Sequence, residues 1–365
     1  MPARAVAAFL ALTSAAVAAP GETGAWKTFK SWSVGCDNTR SCTAAAGDSD
    51  RESGLALALS RSGEPEAQPT IRFALHFSAD TPRKGMITLS AGGRSVARIR
   101  IGVDTRAGDG GLTVTAEPVR AAILAALRKE AQLQLRFDAP LGEDQRDRYS
   151  ISLDGAAAAL LWMDERQKRV GTATALIRPG RRPASAVPPP PPLPRRPQAI
   201  PLPQGGEAAT LSAAAREQIE SMREEGCEQD VRERDGDGVP TVRRLPEGRL
   251  LVSVRCAWGA SSTSESYFIL RDGESPQIER ARFPRPYEPL DEGPAERMPE
   301  FVLADVYDGA LDQGEITSGD GTHGGSFCGE RGSWVWTGAR FEPIQIRTML
   351  PCGGANVPVP LYRTR

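Results

Sequence analysis

Residues 71–77 read Ile71-Arg72-Phe73-Ala74-Leu75-His76-Phe77. Ile71, Phe73, Leu75 and Phe77 share one face, and Arg72 and His76 share the other. That period of two is a half-buried strand. The pattern continues outward. Met86 to Ser90 and Ser95 to Ile101 flank Gly92-Gly93, a dipeptide suited to a tight hairpin. Asp109-Gly110-Gly111 marks another turn before Leu112 and Val114, and Leu133, Leu135 and Phe137 alternate with Gln132, Gln134 and Arg136. Two helices interrupt the strands. Pro118 opens one whose Val119, Ile123, Leu124 and Leu127 fall at helical spacing, and Asp154 is placed to cap a second from Gly155 to Lys168. Many short strands, glycine turns and few helices predict a β-sandwich.

The pattern breaks at Arg178 to Pro203, which read RPGRRPASAVPPPPPLPRRPQAIPLP with five consecutive prolines from Pro188 to Pro192. Such a stretch favours extended polyproline II and serves as a semi-rigid spacer. Residues 24–178 are therefore read as an N-terminal β-sandwich module, 179–209 as the linker and 210–365 as a small β-rich α+β module. The rear module opens with a predicted helix from Leu211 to Glu225, stopped at Gly226. Strands follow at Arg249 to Trp258, Tyr267 to Leu270, Phe301 to Val306, Ser333 to Thr337 and Phe341 to Arg347. The expected class is mainly β with a few helices, in two modules.

Across 365 residues, 45 basic groups face 46 acidic ones, for a net charge of −1. The balance hides an asymmetry. Residues 20–178 carry 22 basic and 19 acidic groups, 179–210 carry four arginines and Glu207, and 211–365 carry 18 basic and 26 acidic groups. A basic front and a basic spacer are set against an acidic rear. The chain lacks the overall basic surplus of a nucleic-acid binder, so nucleic acid is not an expected partner. The start reads as a secretory signal: Arg4, an apolar run from Ala5 to Val17, and the A-x-A site Ala16-Val17-Ala18, with cleavage after residue 18. The run is shorter than the roughly 20 residues a bilayer crossing needs, and no later segment is longer. The expected location is periplasmic or secreted, without a lipid anchor.

Export makes disulfides the expected state of Cys36, Cys42, Cys227, Cys256, Cys328 and Cys352. None lies in a C-x-x-C pair, so zinc-ribbon, thioredoxin-like and haem-attachment chemistry lack their motif. If each module folds alone, Cys36 pairs with Cys42 and three pairings stay open for the rest. Nearest-neighbour order gives Cys227–Cys256 and Cys328–Cys352.

Trp26-Lys27-Thr28-Phe29-Lys30-Ser31-Trp32-Ser33-Val34-Gly35-Cys36, closed by Cys42, resembles the opening of the bacterial invasion-associated locus B family. Phe327-Cys328-Gly329, Trp334-Val335-Trp336-Thr337-Gly338, Phe341 and Met349-Leu350-Pro351-Cys352-Gly353-Gly354 resemble the C-terminal signature of domain-of-unknown-function family 1176. The resemblance implies an exported protein with an immunoglobulin-like front sandwich. It implies no activity and no catalytic residues.

Candidate sites are few. His76 shares a strand face with Arg72, and His323 lies in the glycine-rich 320–325 loop; both are read as solvated. Asp230, Asp235 and Asp237 form one acidic cluster, and Asp305, Asp308, Asp312 and Glu315 form another. The second is the calcium candidate, because calcium takes six to eight oxygens from closely spaced carboxylates and carbonyls. Neither cluster matches an EF-hand loop. Trp334 and Trp336 share a strand face, the pattern of a core more than of a binding platform. The linker arginines are placed to meet anionic groups of the envelope or to dock on the acidic rear module. No cofactor and no catalytic residue is expected. The leading reading is a non-enzymatic envelope protein that binds another, unidentified macromolecule. The alternatives are a carboxylate-dependent hydrolase of envelope polymers and a structural spacer.

Overall fold

The structure, a computed structural model, describes residues 23–48, 54–75, 81–108, 110–141, 146–200, 211–226, 240–258, 263–289, 311–312, 314–318, 322–323, 326–327, 329–350, 355 and 357–365. The front half contains β1 (Gly24–Phe29), β2 (Trp32–Cys36), β3 (Cys42–Gly47), β4 (Leu55–Arg61), β5 (Thr70–Leu75), β6 (Gly85–Ala91), β7 (Arg94–Ile101), β8 (Thr105–Gly108), β9 (Gly111–Val114), α1 (Glu117–Lys129), β10 (Gln132–Phe137), β11 (Arg148–Ser152) and α2 (Ala156–Arg166). The rear half contains α3 (Ala213–Gly226), β12 (Thr241–Arg244), β13 (Leu250–Trp258), β14 (Thr263–Arg271), β15 (Gln277–Arg280), β16 (Tyr287–Pro289), β17 (Leu311–Asp312), β18 (Glu315–Ser318), β19 (Thr322–His323), β20 (Ser326–Phe327), β21 (Gly329–Trp336), β22 (Phe341–Leu350) and β23 (Val357–Arg363). The mainly-β class expected from the alternation is the class observed.

In the front half an eight-stranded sheet, β16-β1-β2-β3-β4-β5-β9-β8, faces a four-stranded sheet, β11-β10-β6-β7. Ile71, Phe73 and Leu75 point into the shared core with Trp32, Leu57, Leu89 and Leu135, as their period requires. The β6–β7 hairpin turns through Gly92 (φ 56°) and Gly93 (φ 74°), the positive-φ pair that a two-residue turn between right-twisted strands demands. Helix α1 buries Val119, Ile123 and Leu127 in the same core, with Pro118 in its first turn.

The start of α2 departs from expectation. Its N-cap is Gly155 at φ 93°, with no side-chain cap bond, and Asp154 instead accepts a hydrogen bond from Lys30 Nζ at 2.9 Å. A Cβ on Gly155 would lie 1.8 Å from the Phe29 carbonyl oxygen, so the end of β1 leaves room only for a glycine turn. The helix also ends at Arg166, short of Lys168, which adopts φ 60°.

In the rear half, the sheet β12-β13-β14-β15 lies between α3 and the five-stranded sheet β17-β18-β21-β22-β23. Val252, Val254, Cys256 and Phe268 meet Leu211, Ala215 and Ile219 on the α3 side. Leu251, Ile269, Phe283, Trp334, Trp336 and Phe341 fill the opposite side. Ser212 caps α3, accepting from Ala215 N at 3.1 Å, and is itself held by the Asp272 carboxylate. Trp334 and Trp336 are fully buried, and the Trp334 ring lies edge-on to Phe283 at 5.6 Å. Both are core, as their shared strand face suggested.

The two halves are interleaved. Strand β16 belongs to the rear half by sequence, yet it pairs in parallel with β1 and extends the front sheet. Strand β23 lies across the outer face of that sheet. In β4, Leu55, Leu57 and Leu59 point into the front core, while Ala56 and Ala58 point outward and join Ala45, Ala74, Ala355 and Val357 in a second apolar layer. Small residues are required there. A Cβ on Gly24 would lie 1.8 Å from Leu361 O, and one on Gly35 would lie 2.6 Å from Val359 Cγ1. The front sheet is thus buried on both faces along β2, β3 and β4.

Candidate functional site

The residues singled out by sequence scatter. Cys36 and Cys42 form a disulfide, with S–S 2.01 Å. Cys256 is disulfide-bonded as well, and Ser266 Oγ lies 3.0 Å from its sulfur; Cys227, Cys328 and Cys352 lie outside the described residues, so the rear pairing is not assigned. Asp305, Asp308, Asp230, Asp235, Asp237 and His76 also lie outside them, as do the segment 1–18 and the expected strand from Phe301 to Val306. Of the calcium candidates, Asp312 pairs with Glu315 across the β17–β18 hairpin, and Glu315 accepts a hydrogen bond from Arg196 Nη2 at 2.7 Å. One calcium candidate, Glu315, is therefore an anchor for the proline-rich segment. No group of three or more potential metal ligands occurs among the described residues.

That segment runs along the body of the protein. Val187 is buried, Arg40 Nη2 donates to the Pro189 carbonyl, Arg365 N donates to Pro194 O at 3.0 Å, and Ile200 N donates to Trp336 O at 2.8 Å. Its contacts reach both halves, and Arg196 docks on the acidic rear, one of the two contacts its charge allowed; the segment is packed along the body and is not the solvated spacer that its composition favoured.

The most elaborate polar arrangement is at the seam. The disulfide closes the loop Asp37-Asn38-Thr39-Arg40-Ser41. Asp37 Oδ1 accepts from Thr39 N (2.8 Å), Thr39 Oγ1 (2.7 Å) and Ser41 N (2.9 Å), which folds the loop into a cup. Into it reaches Arg363, at the end of β23. Its Nε lies 2.6 Å from Asp37 Oδ2 in a close ion pair, and its Nη2 donates to Thr39 Oγ1 (2.9 Å) and Ser41 Oγ (3.0 Å). Asn38 completes the clasp as a strand would, donating from Nδ2 to Arg363 O (3.1 Å) and accepting from Arg363 N at Oδ1 (3.0 Å).

A second polar cluster lies behind the cup. Arg40 O accepts from Gln167 Nε2 at 2.8 Å, and Gln167 Oε1 accepts from Arg61 Nε at 2.7 Å and Arg169 Nε at 3.1 Å. Arg61 Nη2 meets Asp164 Oδ1 at 2.6 Å with both side chains fully buried. Asp164 Oδ2 accepts from Leu176 N (2.7 Å) and Ile177 N (3.0 Å), pinning that later segment back onto α2. Desolvation lowers the Arg61 pKa, opposed by the hydrogen bond and charge of Asp164. Arg169 is pushed down to about 10 by desolvation and then by the like charge of Arg61. These groups have the residue types of an active site, but each is fully engaged by backbone and side chains.

The opposite side of the front half is exposed. On the outer face of the four-stranded sheet, β11-β10-β6-β7, the registers align Arg148, Arg136, Thr88 and Arg98 in one row across the strands. Arg100 stands beside the row, opposite Met86. The four strands contain no Asp or Glu. Asp147 sits at the margin, 3.9 Å from Arg136 Nε and 3.8 Å from Arg148 Nε, and Asp104 contacts Arg100 Nε at 3.5 Å. Arg98 has no acidic partner among the described residues. In the sequence, Gln132, Gln134 and Arg136 only alternate with Leu133, Leu135 and Phe137. Aligning them with Arg98 and Arg148 required the strand order.

Fold and seam together define a mainly-β protein of two sheet pairs joined through a disulfide-closed cup. The chain belongs to the family described as protein of unknown function, DUF1176, whose model matches residues 26–363. It is 27% identical over 359 residues to the uncharacterized protein YpfG of Escherichia coli (strain K12), covering 95% of this chain and 93% of that one. The crystal structure of invasion associated protein b from Bartonella henselae is similar at 19% identity and a TM-score of 0.28, over 39% of this chain and 98% of that one. Among the described residues, no helix is long and apolar enough to cross a membrane.

Proposed function

We propose that the protein is an exported, non-enzymatic binding protein of the bacterial envelope, in which both halves act as one platform. The observation that carries this reading is the fate of the ionisable groups in the two polar clusters, among the described residues. Asp37, Arg61, Asp164, Arg169 and Arg363 are all engaged in holding halves and loops together. A general acid or base must reach a substrate proton within hydrogen-bond distance, and these groups already face each other. The Cys36–Cys42 disulfide, the disulfide-bonded Cys256 and the secretory pattern of residues 1–18 support an oxidising compartment.

Two measurements test it. Fractionation and N-terminal mass determination should find the chain outside the cytoplasm and starting after residue 18. In-cell crosslinking should then capture an envelope macromolecule with the full chain. A cytoplasmic, unprocessed chain, or turnover of an envelope polymer by the purified protein, would end the proposal.

A further inference from the structure

We infer that the outer face of the β11-β10-β6-β7 sheet binds an acidic polysaccharide, lying across the strands along the row Arg148, Arg136, Thr88 and Arg98. The inference rests on the reading of the chain as a binding protein and names the partner's chemistry.

The geometry is that of a flat comb. Neighbouring strands lie about 4.8 Å apart, so the row spans roughly 14 Å from Arg148 to Arg98. Its arginines are exposed, and the Nη atoms of Arg98, Arg100, Arg136 and Arg148 make no hydrogen bond to a described residue. Where acidic neighbours exist, their closest approach is to Nε, at 3.5–3.9 Å. Each guanidinium therefore keeps a planar fork for a carboxylate or sulfate, the geometry that arginine recognises in bidentate fashion. The strands themselves carry no carboxylate; the acidic groups beside the face are Asp147, near Arg136 and Arg148, and Asp104, near Arg100, which leaves the arginines in excess.

The groups between the arginines select the kind of polyanion. Gln134 sits opposite Ser90 on one side and Ser150 on the other, and Thr88 stands inside the arginine row, so amide and hydroxyl groups alternate with the forks. That mixture suits a polymer carrying both hydroxyls and carboxylates. Single-stranded nucleic acid is held by stacking on aromatic rings, and the outward positions of these four strands carry none. A membrane surface is held by an apolar face buried below the headgroups, and here the outward positions are polar except for Met86.

The test uses the full mature chain and immobilised polygalacturonate at low ionic strength, with neutral dextran as the blank. Wild type should be retained on the polyuronate and released by added salt, because exposed charges are screened within about 10 Å at 0.1 M. The R98A/R136A/R148A variant should bind at least tenfold more weakly with an unchanged circular-dichroism spectrum. Replacing the same three arginines with lysine, which keeps charge and loses the fork, should recover only part of the affinity. R216A, on α3, should bind like wild type. Equal retention of the triple alanine variant, no retention of wild type, or tighter binding to an oligonucleotide or to phosphatidylglycerol vesicles would each overturn the inference. If wild type ignores polygalacturonate but still captures an envelope macromolecule in cells, the polysaccharide is wrong and the binding reading stands. If it captures nothing, the binding reading itself falls.

Discussion

Replacing Arg363 with alanine removes the charged tip of β23 from the cup between Cys36 and Cys42. The carboxylate of Asp37 then faces a cavity. Its side chain is fully buried, whereas that of Arg363 is 42% exposed. Breaking a fully buried pair costs about 3–5 kcal/mol and an exposed one about 0–1. A pair with one side in each regime falls near 2. Two further bonds, from Nη2 to Thr39 Oγ1 and Ser41 Oγ, contribute about 0.5–1.5 kcal/mol each. Three local bonds still hold Asp37 Oδ1, and the backbone of residue 363 keeps Asn38, so the loss stops at about 3 kcal/mol. Equilibrium urea denaturation, followed by tryptophan fluorescence and far-ultraviolet circular dichroism, measures it. D37N isolates the charge, and the R363A/D37N double variant should show a coupling of about 1–2 kcal/mol. A loss below about 0.5 kcal/mol, the range of ordinary surface substitutions, or strictly additive single effects, would refute the clasp.

Other perturbations probe the remaining contacts. D164A should destabilise by about 3–5 kcal/mol, since it leaves the guanidinium of Arg61 buried without its ion; the same denaturation assay reads it. G24A drives a Cβ into the Leu361 carbonyl and should cost about 1–3 kcal/mol, with limited proteolysis showing faster cutting of β23 than of β4. Burial, helped by the nearby Glu265 charge, pushes the Tyr267 hydroxyl above the usual phenol range. The unfolded chain ionises this group near pH 10 while the folded chain does not, so its stabilisation is complete below pH 10 and is lost as pH rises beyond it. Y267F, tested in alkaline titrations, should lack that part of the loss.

The local pattern was legible wherever one face of an element is wet. Leu133, Leu135 and Phe137 announced β10, and Val119, Ile123 and Leu127 announced α1, because water on the far side enforces periodicity. Strands β3 and β4 are buried on both faces and carry no polar alternation. Their signal is one of size: in Leu55-Ala56-Leu57-Ala58-Leu59 the large side chains face the core, and the small ones allow β23 to approach. Reading that alternation of volume would have revealed a second layer without naming it. The cup was hidden differently. The two cysteines were visible as a staple, but the role of Asp37, Asn38 and Thr39 depends on Arg363, more than 320 positions away. Proline content showed that residues 188–192 are extended. It did not show that their neighbours bond to Trp336 and Arg365, because those bonds come from tertiary placement and not from local propensity.

The claim beneath all of these is that the two halves are one body. Amide hydrogen exchange tests it most directly, at the amides that join the halves: Arg363 N, bonded to Asn38 Oδ1, and those of the β1–β16 ladder between Gly24–Trp26 and Tyr287–Pro289. If the halves are clasped, these amides open only in large cooperative events, and their protection should approach that of β4 and β13. Exchange at the rate of free peptide, while β4 and β13 remain protected, would mean that the halves separate freely and would contradict the clasp.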